Sequence, residues 1–521
     1  MKKPDKFTIA FLLLLSVFLI FNLSVMDNYG MTWDEAAQQH IGKAASDYVR
    51  GNSGKMEFLR EDLVYYGPFF EIMNQDFGTS MLESFRMNYV SAFHVLIIIA
   101  AAAGLFFFFR LVSMMFDGQT ALLSSAFLAL WPIFAAHSQY NTKDIPLFAG
   151  FTAALYFLYA GFRKRIFWKL FVAGAIFGLA LSVRIDALLL IPVFFLPYAG
   201  YLFFGLRKES EKEFPKRFGT DFLYAFVFIA TGALFAYFSW PTLWKNPFFF
   251  FQALGYFLHH GWPGQVLYFG KIYTGSNLPW HYVPFYFLIS ISVLILILAA
   301  FGTIIAIRKM RGREKMLEYS LILAWLFLRL AAGIFPGSVK YDGIRHFIVI
   351  APAIMVLAAL GFGKFLEIVP EYFPKSDSLK IKAWLIAALF LWLVIDFFWI
   401  FPFGGSYINE PARTFIPKPI EKRFDFEYWG ASYRQGVDWL NKNAQLNTGF
   451  CVPIAGHLLQ FYPIRPDLKF DCSENTDYLI FITRWAYLPS NLEENFHFSN
   501  KSPAFTVSRY GSDLLEIYKL K

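Results

Sequence analysis

Cysteine is nearly absent. Cys451 and Cys472 are the only two in 521 residues, and neither sits in a CxxC or other metal-type spacing. No Walker or Rossmann glycine motif occurs, which argues against a nucleotide-fuelled reaction; no GxSxG motif occurs either. Charge is also scarce: 16% of the residues are charged, against a usual share of roughly 25%. Hydrophobic residues make up 57%, including 65 Phe. A soluble protein of this length has too little interior to bury that surface, so a purely cytosolic enzyme is excluded. Intrinsic disorder is excluded for the same reason, and no internal repeat or low-complexity tract stands out.

What is present is a series of apolar runs. A spanning helix needs about 20 mostly apolar residues. About eleven candidates lie near 7–26, 89–109, 118–137, 145–162, 167–183, 186–206, 221–239, 283–307, 317–335, 346–363 and 383–402. Arg184 and Asp186 interrupt the fifth and sixth. The first run follows Lys2 and Lys3, but its core is long and no A-x-A-like site precedes Asp27, so it reads as a retained anchor rather than a cleaved signal peptide.

The net charge of +9 is not spread as in a nucleic-acid-binding protein. The basic residues cluster between apolar runs: Lys2, Lys3 and Lys6; Arg163-Lys164-Arg165; Arg207-Lys208 with Lys216-Arg217; Arg308-Lys309 with Arg311 and Arg313; and Lys375, Lys380 and Lys382. With eleven spans these all fall on one side, the cytoplasmic side by the positive-inside rule. The N-terminus is then cytoplasmic and residues 403–521 are extracytoplasmic. The acidic loop 27–88 and the aromatic loop 240–282 share that outer side.

The tail has ordinary polarity. Residues 432–444 read as an amphipathic helix, and 449–454, 477–483 and 504–508 as short strands. The expected fold class is therefore mainly α: a polytopic transmembrane helix bundle over residues 1–402, followed by a small extracytoplasmic α/β domain over 403–521. On that side Cys451 and Cys472 can oxidise to a disulfide, or remain two buried free thiols.

Ionisable residues beside apolar spans are costly and are functional candidates. Asp34 and Glu35 begin an expected helix, with Thr32 as a possible cap and His40 further along. They are either first-turn acids favoured by the helix dipole or a carboxylate pair fit for general-base work. Asp144 precedes Pro146 at the start of a span, with Asn141 and Lys143 beside it. It is a capping residue or a second carboxylate facing the same cavity. Arg184 and Asp186 form a local ion pair or leave the arginine for a phosphate. Arg329 lies near the outer end of an apolar span, where snorkelling is the ordinary explanation. Lys340, Tyr341, Arg345 and His346 gather in the outer loop 336–346, where the positive-inside rule disfavours cations; arginine forks suit phosphate oxygens. Loop 240–282 carries Trp240, Trp244, Lys245, His259, His260, Trp262, Trp280 and His281. Its stretch around 246–264 is suited to lying flat in the membrane surface, and two adjacent histidines do not by themselves make a metal site.

The candidate catalytic residues are thus Asp34, Glu35 and Asp144. The candidate substrate-binding residues are His40, Lys143, Arg184, Lys245, Lys340, Tyr341, Arg345 and His346. No metal ligands are assigned. Carboxylates and cations on one face of a bundle, beside an aromatic interfacial loop, suit a substrate with a charged head and a long apolar tail.

Five motifs in order carry a resemblance: Trp33-Asp34-Glu35, Asp144-Ile145-Pro146-Leu147, Trp240-Pro241-Thr242-Leu243-Trp244, Leu278-Pro279-Trp280-His281-Tyr282 and Tyr341-Asp342-Gly343-Ile344-Arg345-His346. Tyr428-Trp429-Gly430-Ala431-Ser432-Tyr433 follows in the tail. Together they resemble the protein-O-mannosyltransferase-like branch of the C-type (GT-C) membrane glycosyltransferases, a group that includes the lipid A aminoarabinose transferase. The resemblance implies a polyprenyl-phosphate-sugar donor, an active site on the outer face and a bacterial inner (plasma) membrane location. It makes Asp34 the catalytic base with Glu35 supporting it, and Arg345, Lys340 and Arg184 the phosphate-binding cations. The acceptor is a glycan, a lipid or a protein. No cofactor beyond the lipid-linked donor is required in principle, and divalent-metal dependence stays open. The main alternative is a transporter or flippase for a lipid-linked or acidic solute, although the inverted repeats and interrupted midplane helices of such proteins are not evident. A second is a non-catalytic assembly or sensor protein.

Overall fold

The computed structural model describes residues 5–56, 61–205, 214–259, 261–335, 337–373 and 377–521. Lys2, Lys3, Arg207, Lys208, His260 and Lys375 fall outside the described residues, as do the side chains of Lys216 and Arg217. Among the described residues, nine helices are long and apolar enough to cross a membrane, or ten if one bent pair is a single span. A shorter apolar helix, Phe167–Leu181, accounts for the remaining run. The chain is a multi-pass membrane protein.

Local chemistry starts several of these helices. Asp5, Asn88, Asp117 and Asp377 each accept first-turn N–H groups of the helices beginning at Lys6, Tyr89, Gly118 and Ser378, satisfying donors that have no partner inside the helix.

Two expected spans are not single helices. The run at 118–137 divides into Gly118–Ala129 and Pro132–Tyr140, bent by 67°. The cause is Pro132, whose ring pushes the preceding Trp131 into an extended conformation. The run at 283–307 divides into Tyr282–Ser290 and Val293–Arg311. That break frees carbonyls in an apolar setting, where each needs a donor. Asn409 supplies them through its side chain to Leu288 (2.6 Å) and Ile291 (2.8 Å), and Trp131 donates to Ser290 at 2.7 Å. The Val293–Arg311 helix also packs backbone to backbone against Ala351–Ile368. A Cβ at Gly302 would strike the Leu357 carbonyl and one at Gly361 the Leu298 carbonyl, the small-residue contact that membrane helices use for close approach.

The tail, residues 403–521, follows the last span, Ser378–Ile400. The tail holds a five-stranded sheet in the order Lys469–Phe470, Gly449–Cys451, Tyr478–Ile482, Ser512–Lys519, Phe505–Arg509. The first three strands are parallel and the last two antiparallel. Tyr433–Asn443 covers the sheet with Tyr433, Val437 and Leu440 buried. The strand Ser512–Lys519 had no counterpart in the expected pattern. Cys451 and Cys472 form a disulfide. In loop 240–282 the helix Phe249–His259 is followed by a hairpin, Gln265–Tyr268 with Lys271–Thr274.

Candidate active site

Asp34 is set in place from both sides. The segment after the first helix docks on the tail domain: the Met31 N–H donates to the Tyr462 hydroxyl at 2.7 Å, and the Trp33 N–H to the Trp429 carbonyl at 2.8 Å. Helix Trp33–Val49 starts there. Glu35 turns back to accept from the Thr32 N–H (2.7 Å) and hydroxyl (2.9 Å), the return arm of a capping box. It also meets His94 Nε2 at 3.0 Å and is buried. Asp34, the preceding residue, points away from these contacts, with its side chain 42% exposed.

Arg345 arrives from the opposite direction. In the loop before it, Asp342 and Gly343 both take the left-handed conformation, at φ 53° and 63°. Gly343 N–H is fixed by the Tyr282 hydroxyl at 3.0 Å. Arg345 donates through Nη1 to Asp34 at 2.5 Å and through Nη2 to Asp342 at 3.0 Å. Its guanidinium also lies over the rings of Trp429 (4.8 Å) and Tyr341 (5.1 Å), a contact worth most where water is excluded.

A second charged set adjoins the first. Arg184 bonds Asp144 at 2.7 Å and Asp186 at 3.0 Å, and Arg329 reaches Asp186 at 3.1 Å. Burial works against the Arg184 charge, but Asp144 and Asp186 outweigh it and raise its pKa. Asn141 donates to the other oxygen of Asp144 at 2.8 Å. Lys143 is buried and pairs with Glu71 at 2.9 Å. Burial lowers the Lys143 pKa, with the Glu71 charge opposing it.

These groups surround one cavity with about 770 Å³ of empty space, partly open to solvent. Asp34, Glu35, Lys143, Arg184, Asp186, Arg345, His346 and Tyr341 line it. Tyr65, Tyr66, Trp240 and Phe257 form its aromatic side. Helix Phe249–His259 builds that side: Tyr256 and Phe249 stack on Tyr65 at 4.2 and 5.4 Å, and Phe257 meets Tyr66 edge-on at 5.0 Å. The neighbouring Phe248, Phe251 and Leu258 remain largely exposed, as in a helix lying along a lipid surface.

Of the residues singled out from sequence, the structure brings Asp34, Glu35, Lys143, Arg184, Tyr341, Arg345 and His346 to this cavity. Asp144 stands behind the wall, holding Arg184. Three residues lie elsewhere. Lys245 is exposed over the Tyr48 ring at 5.2 Å. Lys340 is buried, and its ammonium donates to the Ser338 carbonyl at 3.1 Å. His40, further along the same helix than Asp34, is not on the cavity wall. The sequence reading does not single out Glu71, Asp342 or Arg484, although Asp342 and Trp429 lie inside the motifs at 341–346 and 428–433. Arg484 lies in an ordinary-looking strand end with no local signal. Among the described residues, no three His, Cys, Asp or Glu side chains cluster as metal ligands do.

Comparison with known proteins meets this architecture. Residues 82–230 match the family model described as dolichyl-phosphate-mannose-protein mannosyltransferase. No curated protein is a significant sequence match. ArnT from Cupriavidus metallidurans, solved bound to undecaprenyl phosphate, is similar in structure with a TM-score of 0.50 at 13% identity, over 98% of this chain and 97% of that one. The oligosaccharyltransferase AglB from Archaeoglobus fulgidus, solved with an inhibitory peptide and a dolichol-phosphate, is similar with a TM-score of 0.50 at 10% identity, over 91% of this chain and 71% of that one. The apo form of the Archaeoglobus fulgidus oligosaccharyltransferase gives 0.52 at 10% identity, over 91% and 69%. At such identities the likeness is one of fold, that of the C-type membrane glycosyltransferases to which the ordered motifs pointed.

Proposed function

We propose that the chain is a membrane glycosyltransferase that moves a sugar from a polyprenyl-phosphate-linked donor to an acceptor hydroxyl. The observation that carries this reading is the Asp34–Arg345 pair on the wall of a cavity with one aromatic side. Support comes also from the family match and from two structural neighbours solved with undecaprenyl phosphate and dolichol-phosphate.

The ion pair is the resting state of the site. The donor enters along the aromatic side, and its phosphate replaces the Asp34 carboxylate on Arg345. Arg184 adds a second cation within the same cavity. Asp34, released, faces the acceptor. It takes the proton of the acceptor hydroxyl while that oxygen attacks the anomeric carbon. The bond from that carbon to the phosphate oxygen breaks in the same step, so the configuration inverts. The electron pair leaves on polyprenyl phosphate, whose growing charge the arginines stabilise. Glu35, bound to Thr32 and His94, supports Asp34 by fixing the helix start. Under this reading the cavity and the tail domain are extracytoplasmic, at a bacterial inner membrane, and protein cations supply the charge stabilisation. Hexosyl and pentosyl donors both fit it, as do glycan, lipid and protein acceptors.

The test is transfer from radiolabelled polyprenyl-phosphate sugars by purified protein in liposomes, comparing wild type with Asp34→Asn. Sugar transfer lost in the variant supports the reading. Lipid movement across the bilayer without transfer would favour a flippase, and equal transfer by both proteins would remove Asp34 from the role.

A further inference from the structure

A tail residue, Arg484, is tied to Arg345 through one buried carboxylate of the outer loop, Asp342. Asp342 accepts from Arg345 Nη2 (3.0 Å), Arg484 Nη2 (2.8 Å) and Trp429 Nε1 (3.2 Å). Asp342 and Arg484 are 4% and 3% exposed. Arg484 follows the central strand Tyr478–Ile482, and its other terminal nitrogen donates to the Tyr428 carbonyl at 2.8 Å. Its guanidinium also lies 5.1 Å from the ring of Trp33, the residue before Asp34. One tail residue therefore touches both segments that bring the reacting groups together.

The charge balance gives this contact a consequence. A single arginine facing a buried carboxylate would be neutralised by it and held against it. Here two arginines share Asp342, and Arg484 also faces the buried Asp425 carboxyl, so Asp342 does not belong to Arg345 alone. Asp34 is the second carboxylate on Arg345, held through Nη1. When Asp34 leaves Arg345, an anion is needed in its place, and Asp342 still holds Nη2 while Nη1 is free. Among the described residues Arg345 and Arg484 are the two cations paired with Asp342, so removing Arg484 leaves Arg345 alone against it.

We propose that Arg484 and Asp342 are positioning residues that hold Arg345 aimed at the donor phosphate, making the tail domain a working part of the active site. This rests on the reading of Arg345 as the phosphate-binding cation.

Binding of undecaprenyl phosphate to the purified full-length protein in detergent tests it, with thermal unfolding as a check on folding. Arg484→Gln should weaken binding roughly tenfold, the scale of a modest coupling between sites, and Arg484→Lys should recover part of the loss. In an Arg345→Gln background, Arg484→Gln should cause no further loss, because its effect runs through Arg345. If Arg484→Gln does not fold, Asp342→Asn carries the same comparison. Unchanged binding by a folded Arg484→Gln protein, or losses that multiply in the double variant, would overturn the proposal alone. Wild-type protein that ignores the lipid would overturn the donor reading and this inference with it.

Discussion

Arg345 and Asp34 lie 311 positions apart in the chain and meet at 2.5 Å on the wall of one cavity. Arg345 is nearly buried there, while Asp34 keeps 42% of its side chain exposed. The acid is thus the member of the pair that an acceptor can reach, and the arginine is the member fixed by neighbours. Asp34→Asn should lower sugar transfer roughly 10²- to 10⁴-fold, the usual contribution of a general base, with expression and melting temperature unchanged. Initial-rate assays with labelled donor measure this; a loss below tenfold would assign the proton to another group.

Replacing Arg345 should act on the donor first. Arg345→Gln removes a charge-assisted contact to phosphate and should raise the donor KM roughly ten- to hundredfold. The acceptor KM should move little. A variant with an unchanged donor KM would place the phosphate on other cations.

The buried Lys143–Glu71 pair should prove structural in its energetics. Lys143→Met leaves Glu71 as an unpaired carboxylate, which costs about 3–5 kcal/mol in such settings. The double variant Lys143→Met/Glu71→Leu should recover most of that loss, since it buries no lone charge. Thermal unfolding in detergent separates the cases. A single variant that melts like wild type would mean water reaches Glu71.

Stability should depend on pH through the tail. Burial pushes the Glu427 carboxyl up to about 7, and Asp425 likewise to about 7. An acid whose folded pKa lies above its unfolded value binds more protons when folded, so stability is lost as pH rises from the unfolded pKa towards the folded one. The protein should therefore be less stable at pH 8 than at pH 5 through these groups. Glu427→Gln mimics the protonated form: it should match wild type at pH 5 and exceed it at pH 8. Parallel melting curves across that range would contradict the assignment.

The membrane map was legible because about 20 apolar residues in a row have few other uses, and Asp34 and Arg345 stood out as ionisable groups beside such runs. Composition does not report direction. Lys340 and Arg345 share one short loop, yet one ammonium folds back on Ser338 while the other residue reaches Asp34. Helix breaks were legible only in part. Pro132 explains the bend at Trp131, but the break after Ser290 depends on Asn409, more than a hundred positions later. Arg484 was silent for the same reason. Its meaning comes from Asp342, 142 positions earlier, and nothing in its own neighbourhood marks it.

A structure determined with undecaprenyl phosphate bound probes the shared cavity most directly. The phosphate should lie within about 3 Å of the Arg345 guanidinium, with Asp34 released from it and facing open space. A phosphate held at the opposite end of the bundle, or Asp34 still closed on Arg345 with packed protein between that pair and the lipid, would contradict the glycosyltransferase mechanism.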